Sequence, residues 1–281
     1  MKPSSTPWRL NGIEDGVAVH PVDITDAARV EDVIQRIRPT IVYHLATHGA
    51  YHYQNEPEPI LLVNVTGLWN VVRACSKVGF DLFVNTGSSS EYGAKSFAMR
   101  ETDVLEPDSF YAVAKSAQSL LCRHVGRSTR QAIVTLRLFS VYGPYEEPTR
   151  LVPRLMMAAI EGKPIDMASP TTVRDFVYVD DVVDVYMRID ALRRLAGEIV
   201  NVGTGAQTSL AQLVEALGQV VGAPIDARWD RMEPRGWDTD VWVADVSKLR
   251  KSIGATPPTG IREGLAASLA WFRAHKHLYG P

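Results

Sequence analysis

Cysteine is scarce in this chain: Cys75 and Cys122 are the only two in 281 residues. Each falls inside an apolar helical pattern, VVRACSKVG and SLLCRHV, rather than in a paired spacing. They therefore read as core thiols in a reducing compartment, not as a disulfide framework. A dominant sign of charge is also lacking. Thirty Lys and Arg against 32 Asp and Glu leave a formal charge of −2, and no basic run is long enough to track a polyanion, which sets nucleic acid aside as a partner. No apolar stretch reaches signal-peptide or membrane-span length, so a cytoplasmic protein without a membrane partner is expected. Internal repeats and low-complexity tracts are absent as well.

What is present is material for a core. Hydrophobic residues make up 46% of the chain, enough for one large α/β domain or for a large domain with a small lobe. Residues 1–16, rich in Pro, Ser, Asn and Gly, read as a loop, and residues 17–20 as a first strand. Thr25 and Asp26 cap an amphipathic helix over 28–38 that Pro39 stops, and the apolar run 41–46 follows as a strand. The alternation continues with a helix over 60–77 ended by Gly79, a strand over 82–86, a helix over 109–127 and a strand over 133–138. Such alternation predicts a parallel sheet covered on both faces. Beyond Gly143-Pro144 the pieces are mixed, with helices over 151–161, from 180, over 209–220 and over 261–275, and short strands near 165, 176, 198–201 and 225–229. They predict a smaller lobe beside the sheet.

The chemistry-bearing pattern is Tyr111-Ala-Val-Ala-Lys115, which sets a phenol and an ammonium four residues apart on one helix face. A nearby ammonium stabilises phenolate and so fits a tyrosine for acid–base work. Alone the spacing is a weak signal, because many helices carry an exposed aromatic and a solvated charge. Upstream, a strand runs into Thr86-Gly-Ser-Ser-Ser-Glu-Tyr-Gly93, a hydroxyl-rich turn at the carboxyl end of a parallel strand, where α/β proteins place ligands. A serine there can hydrogen-bond the substrate oxygen that Tyr111 would protonate. Ser88 is the first candidate and Ser89 the second.

These stretches resemble the NAD-dependent epimerase/dehydratase family, the extended short-chain dehydrogenases that modify nucleotide sugars. Matching segments run in family order from Asp23-Ile24-Thr25-Asp26 through His44-Leu45-Ala46, Asn64-Val65-Thr66-Gly67, the Ser88 turn and Tyr111-x-x-x-Lys115. They continue with Arg137-Leu-Phe-Ser-Val-Tyr-Gly-Pro144, Arg174-Asp175-Phe-Val-Tyr-Val-Asp-Asp181, Asn201-Val-Gly-Thr-Gly205 and Arg235-Gly-Trp-Asp238. The resemblance implies an α/β fold with a truncated Rossmann-like, doubly wound parallel sheet over 1–145. A small nucleotide-sugar-binding lobe would occupy most of 146–281, with some elements returning to the sheet. It makes Ser88, Tyr111 and Lys115 the catalytic trio, with Ser89 beside them. Arg174 and Arg235 match positions that grip the substrate's diphosphate, a task suited to a planar guanidinium. His48, His52 and Tyr53 match a loop beside the sugar, and Ser140 joins the substrate residues. His44, inside an apolar strand, reads as a satisfied structural histidine. The family's 4,6-dehydratases carry acids after the catalytic hydroxyl, where this chain has Ser89 and Ser90. That argues against a dehydratase. Family members often dimerise through the helix carrying the tyrosine, so a homodimer is expected.

The family's opening strand, glycine-rich turn and helix, which let the backbone approach the cofactor's pyrophosphate, have no counterpart here; Gly12 and Gly16 lack the spacing. Residues 17–20 are then expected to pair directly with 41–46 by a right-handed crossover. Only Asp23 and Ile24 remain as vestiges of a cofactor contact, and NAD(P) binding is expected to be lost. The preferred expectation is therefore a non-redox isomerase: a pyranose/furanose mutase of an NDP-hexose, GDP-hexose being one choice, assisted by Mg²⁺ or Mn²⁺ with no identified ligands. The alternatives are an NAD(P)-dependent NDP-sugar 4-epimerase or 4-ketoreductase whose N-terminal cofactor-binding part lies outside this sequence or is supplied by another chain, and a non-catalytic sugar-nucleotide-binding subunit.

Overall fold

The computed structural model describes residues 8–51, 53–232, 240–254 and 258–279. The chain divides into two compact units, and the fold is Rossmann-like α/β with a parallel sheet. The first unit comprises Met1–Glu91, Pro107–Arg137 and Ile189–Ile199. Helix α1, Ala27–Ile37, starts where the Asp26 carboxylate accepts from the Arg29 amide at 3.1 Å, satisfying an orphan N–H of the first turn. It stops at Arg38, whose left-handed backbone (φ 48°) returns an N–H to Ile34 O ahead of Pro39. Strand β1, Ile41–His44, then pairs in parallel with β2, Leu82–Ser88.

The long apolar pattern after residue 60 is a helix with an irregular middle. Helix α2, Pro57–Leu61, passes through a π-helical stretch, Leu62–Gly67, into α3, Leu68–Val78. Two contacts explain the widened turn. The Asn64 side chain leaves its helix to donate to His48 O at 2.7 Å and to accept from His48 N at 3.0 Å. Gly67 has no side chain because the Ile24 side chain lies where its Cβ would be, 2.7 Å away. π-Bulges of this kind cluster at functional sites. Helix α4, Phe110–Thr129, is capped by Ser109, and β3, Ile133–Leu138, follows. Apolar faces of α3, α4, β2 and β3 meet around Leu68, Val72, Phe83, Cys122 and Ile133. Phe110, Val113 and Leu120 stay exposed along α4, the helix on which the homodimer expectation rests.

The sheet order is β1-β2-β3 and then Glu198–Val202, and residues 17–20 are not part of it. They form no strand, and Val17 and Val19 remain exposed. The expected pairing with β1 is corrected by this arrangement. A four-residue apolar alternation is held only by a ladder and a covered face, and here it gains neither.

The second unit comprises Tyr92–Glu106, Leu138–Arg188 and Val200–Pro281. Strand β4, Ser140–Tyr142, precedes helix α5, Leu151–Glu161. Strand β5, Val173–Arg174, precedes β6, Phe176–Tyr178, which pairs in parallel with β4 and leads into α6, Val179–Met187. Strand β7, Thr208–Ser209, lies antiparallel to β5 and starts α7, Leu210–Val221, under a full capping box of Ser209 and Gln212. Helix α8, Ser247–Ile253, and α9, Ile261–Ala274, complete the unit. Its core gathers Tyr142, Leu155, Met156, Leu217, Leu265 and Phe272.

A polar knot organises this unit. The fully buried Asp175 carboxylate accepts from Thr204 N (2.8 Å), Thr204 Oγ1 (2.6 Å), Gly205 N (3.1 Å) and Ala244 N (3.1 Å). One carboxylate thereby fixes the 201–205 turn against β5 and β6. Asp175→Ala leaves these amides without their acceptor and is expected to lower stability by about 2–4 kcal/mol. Urea unfolding of the purified variant measures this, and a loss below about 1 kcal/mol would refute the role.

Candidate functional site

Strand β2 changes character along its length. Leu82, Phe83 and Val84 are fully buried in the sheet, and the strand then delivers Asn85, Thr86, Gly87 and Ser88 at its carboxyl end, followed by the tight turn Ser89–Tyr92. In open α/β sheets this end is where ligands bind. Ser88 is half-buried and Ser89 buried. The Ser88 hydroxyl lies 2.7 Å from the Ser90 hydroxyl and accepts from the Ser90 amide at 3.2 Å.

Helix α4 brings the phenol and the ammonium to the same place. Tyr111, half-buried, is in its first turn, and Lys115 follows one turn later. The Lys115 ammonium is 2% exposed, donates to Thr86 O at 3.0 Å and stands 5.8 Å from the centroid of the Tyr111 ring. Burial lowers its pKa to about 8, against the pull of the Glu91 carboxylate, so it is charged at neutral pH. Lys115 thus stands between the Tyr111 ring and the carboxyl end of β2, where the Ser88 turn begins.

The serine turn rests on two residues that sequence reasoning left without a role. Glu91 folds back beneath the turn, accepts the Ser88 amide at 2.8 Å and meets Arg137 Nε at 2.7 Å. Both members of this ion pair are buried, at 0% and 1% side-chain exposure. Burial pushes the Glu91 carboxyl upward, while Arg137 and the Ser88 amide pull it back. The signal was present: an arginine inside the apolar strand IVTLRL needs a buried counter-charge, and Glu91 is the acid of the nearest motif.

In the same unit, Asn64 holds the loop after β1 through the His48 backbone. Tyr53 on that loop is exposed and stacks on Tyr51 at 5.5 Å, whereas His52 lies outside the described residues. Asp23 is engaged locally, its carboxylate accepting from Thr25 N and Oγ1 at 2.9 and 2.8 Å, and the Ile24 carbonyl accepts from Asn70 at 3.0 Å. His44 is buried at the end of β1, and desolvation followed by the Lys115 charge takes its pKa down to about 3, so it is neutral. Its Nε2 has no hydrogen-bond partner among the described residues, so the expectation of a satisfied histidine is corrected.

In the second unit, Arg174 donates to Val173 O at 2.6 Å with its guanidinium 5.4 Å from the Trp242 ring centroid. Ser140 donates its amide to Asp175 O at 2.9 Å. Arg235 lies outside the described residues. Among the described residues no group of three or more His, Cys, Asp or Glu side chains could hold a metal ion, and no helix is long and apolar enough to cross a membrane.

The chain is similar to known enzymes over most of its length. It is 29% identical over 277 residues to a UDP-glucuronate 4-epimerase of Thermodesulfobacterium geofontis, covering 96% of this chain and 84% of that one. The solved UDP-glucose 4-epimerase of Thermus thermophilus, in complex with NAD, superposes with a TM-score of 0.83 at 28% identity, covering 92% of this chain and 86% of that one. The UDP-glucuronic acid 4-epimerase of Bacillus cereus, solved with UDP-glucuronic acid and NAD, gives 0.79 at 27% identity and 90% and 80% coverage.

One expectation is overturned by these likenesses, and another is outweighed. The solved epimerases are complexes with NAD, against the expectation that dinucleotide binding has been lost. That expectation weighed one glycine-rich turn, which serves the pyrophosphate, above the end of β2. There the residues do fit the hydroxyl-bearing riboside end of such a cofactor: the buried Lys115 ammonium has three donors, Thr86 O takes one, and a phenol stands beside it. These relatives are 4-epimerases, so the likenesses back the epimerase alternative better than the metal-assisted ring mutase. With the family profile matching residues 2–203, the chain belongs to the NAD dependent epimerase/dehydratase family.

Proposed function

We propose that the chain is an NAD-dependent 4-epimerase of a UDP-sugar. The observation that carries this reading is the buried Lys115 ammonium, which faces the Tyr111 ring and bonds the Thr86 carbonyl at the end of β2 from which the Ser88 turn leaves. Its likeness to solved UDP-sugar 4-epimerases over nine-tenths of the chain supports it. A C–H beside a sugar hydroxyl is not acidic, so inverting C4 needs a transient oxidation; NAD, when bound, supplies that oxidation and its reversal. The side chains handle the proton. Tyr111 takes it from the 4-hydroxyl and gives it back, while the Lys115 ammonium stabilises the phenolate that forms. Ser88 offers a hydrogen bond to the same sugar oxygen, and Lys115 with Tyr111 would hold the riboside of the cofactor. Arg174 suits a diphosphate by its paired donors, and His48 and Tyr53 suit the sugar.

Elimination chemistry is disfavoured by the turn itself. Ser89 and Ser90 stand where the family's dehydratases carry acids, and the one acid of the turn, Glu91, is committed to Arg137 and the Ser88 amide.

Incubation of the protein with UDP-glucuronic acid or UDP-glucose, with and without NAD, is expected to give the C4 epimer, by NMR, only when NAD is bound or added. A product formed without NAD, or one of altered ring size, would sink the reading. Tyr111→Phe is expected to lower kcat by about 10²-fold or more with KM nearly unchanged. Activity should also fall above about pH 8, where Lys115 loses its proton. A profile flat to pH 10 would remove the ammonium from the mechanism.

A further inference from the structure

We propose that Glu91 is the positioning residue of this site: anchored by Arg137, its carboxylate fixes the backbone of Ser88, two residues along β2 from the Thr86 carbonyl that holds the Lys115 ammonium. The inference rests on the proposed proton-transfer role of Ser88, Tyr111 and Lys115. Its geometry is specific. One oxygen of Glu91 accepts the Ser88 amide at 2.8 Å and the other accepts Arg137 Nε at 2.7 Å, so both are committed. The carboxylate reaches this place because residue 87 is glycine: a Cβ there would stand 2.7 Å from Glu91 Oε1 and 3.1 Å from Arg137 Cγ. The serine turn is thus folded around a buried charge.

The groups acting on Lys115 come from three elements. His44 at the end of β1 is neutral, its pKa near 3. Cys122, two turns along α4, is a neutral thiol, burial pushing its pKa up to about 12. The Tyr111 phenol faces the ammonium from the same helix. Glu91 contributes the charge that opposes the desolvation of Lys115. Without it, burial acts with less resistance, and the ammonium gives up its proton at lower pH.

Two variants test this. Glu91→Gln keeps the shape and an oxygen for the Ser88 amide but removes the charge. Glu91→Leu/Arg137→Met removes both buried charges together, which avoids an unpaired guanidinium. In whichever variant retains the wild-type thermal transition, the Lys115 pKa is read from the ¹³Cε shift of labelled lysine, and epimerisation is followed with UDP-sugar and NAD. The Lys115 titration is expected to move down by about one unit in Glu91→Gln, and by less in the double variant, where the departing Arg137 charge acts in the opposite direction. The alkaline limb of kcat should move with it, and kcat at pH 8 should fall about fivefold with KM within about threefold. An unmoved lysine titration in a folded variant overturns the proposal. Loss of fold in both variants also overturns it, assigning Glu91 to stability alone. The NMR titration needs no turnover, so a wild-type protein that fails to epimerise refutes the functional reading while leaving the role of Glu91 measurable.

Discussion

A single buried ion pair, Glu91 with Arg137, holds together the end of the sheet where the proposed chemistry lies. Neither charge could stay in the interior alone, since an unpaired buried charge costs several kcal/mol, and removing one partner of such a pair typically costs about 3–5 kcal/mol. The pair joins the turn after β2 to the neighbouring strand β3. Asn85 donates to Thr135 Oγ1 at 3.2 Å between the same two strands. The backbone of β2 must therefore end where Gly87 leaves room for the carboxylate, and Ser88 must present its amide downward to it. The serine turn is consequently a rigid cover on a polar core.

The same arrangement sets the electrostatics. A lysine at 2% exposure whose hydrogen bond is to a backbone carbonyl has its pKa lowered to about 8 from the ordinary value above 10, yet stays charged at neutral pH. A charged group of lowered pKa suits the proposed role, which is to favour phenolate and still let the proton return. The acid that tempers the desolvation lies under the turn, not against the ammonium, so it does not neutralise Lys115 by direct pairing.

Much of this was legible in the sequence. The period and caps of 28–38 and 109–127 become α1 and α4 within a residue or two, and the apolar runs at 41, 82 and 133 become the parallel strands. Elements that depend on distant partners were not legible. Residues 17–20 alternate like a strand but find no ladder. The pattern over 60–77 reads as one regular helix, and its π-turn comes from Asn64 reaching a loop sixteen residues away in sequence. At the site, Tyr111 and Lys115 could be placed on one helix face by spacing. The burial of Lys115, and the direction in which Glu91 points, come from packing across the sheet.

The correction over the cofactor has a physical lesson. A glycine-rich turn bears on one contact, the approach of backbone to a pyrophosphate. The buried lysine bears on another, and its cost argues more strongly. For structure alone, a 2%-exposed ammonium bonded to one carbonyl is a poor element, because desolvation works against it and no carboxylate meets it directly. Beside a phenol that must carry negative charge, and facing a ligand rich in hydroxyls, the same ammonium is well used. The charge left in the interior at the end of β2 is the feature that the proposed proton transfer accounts for best.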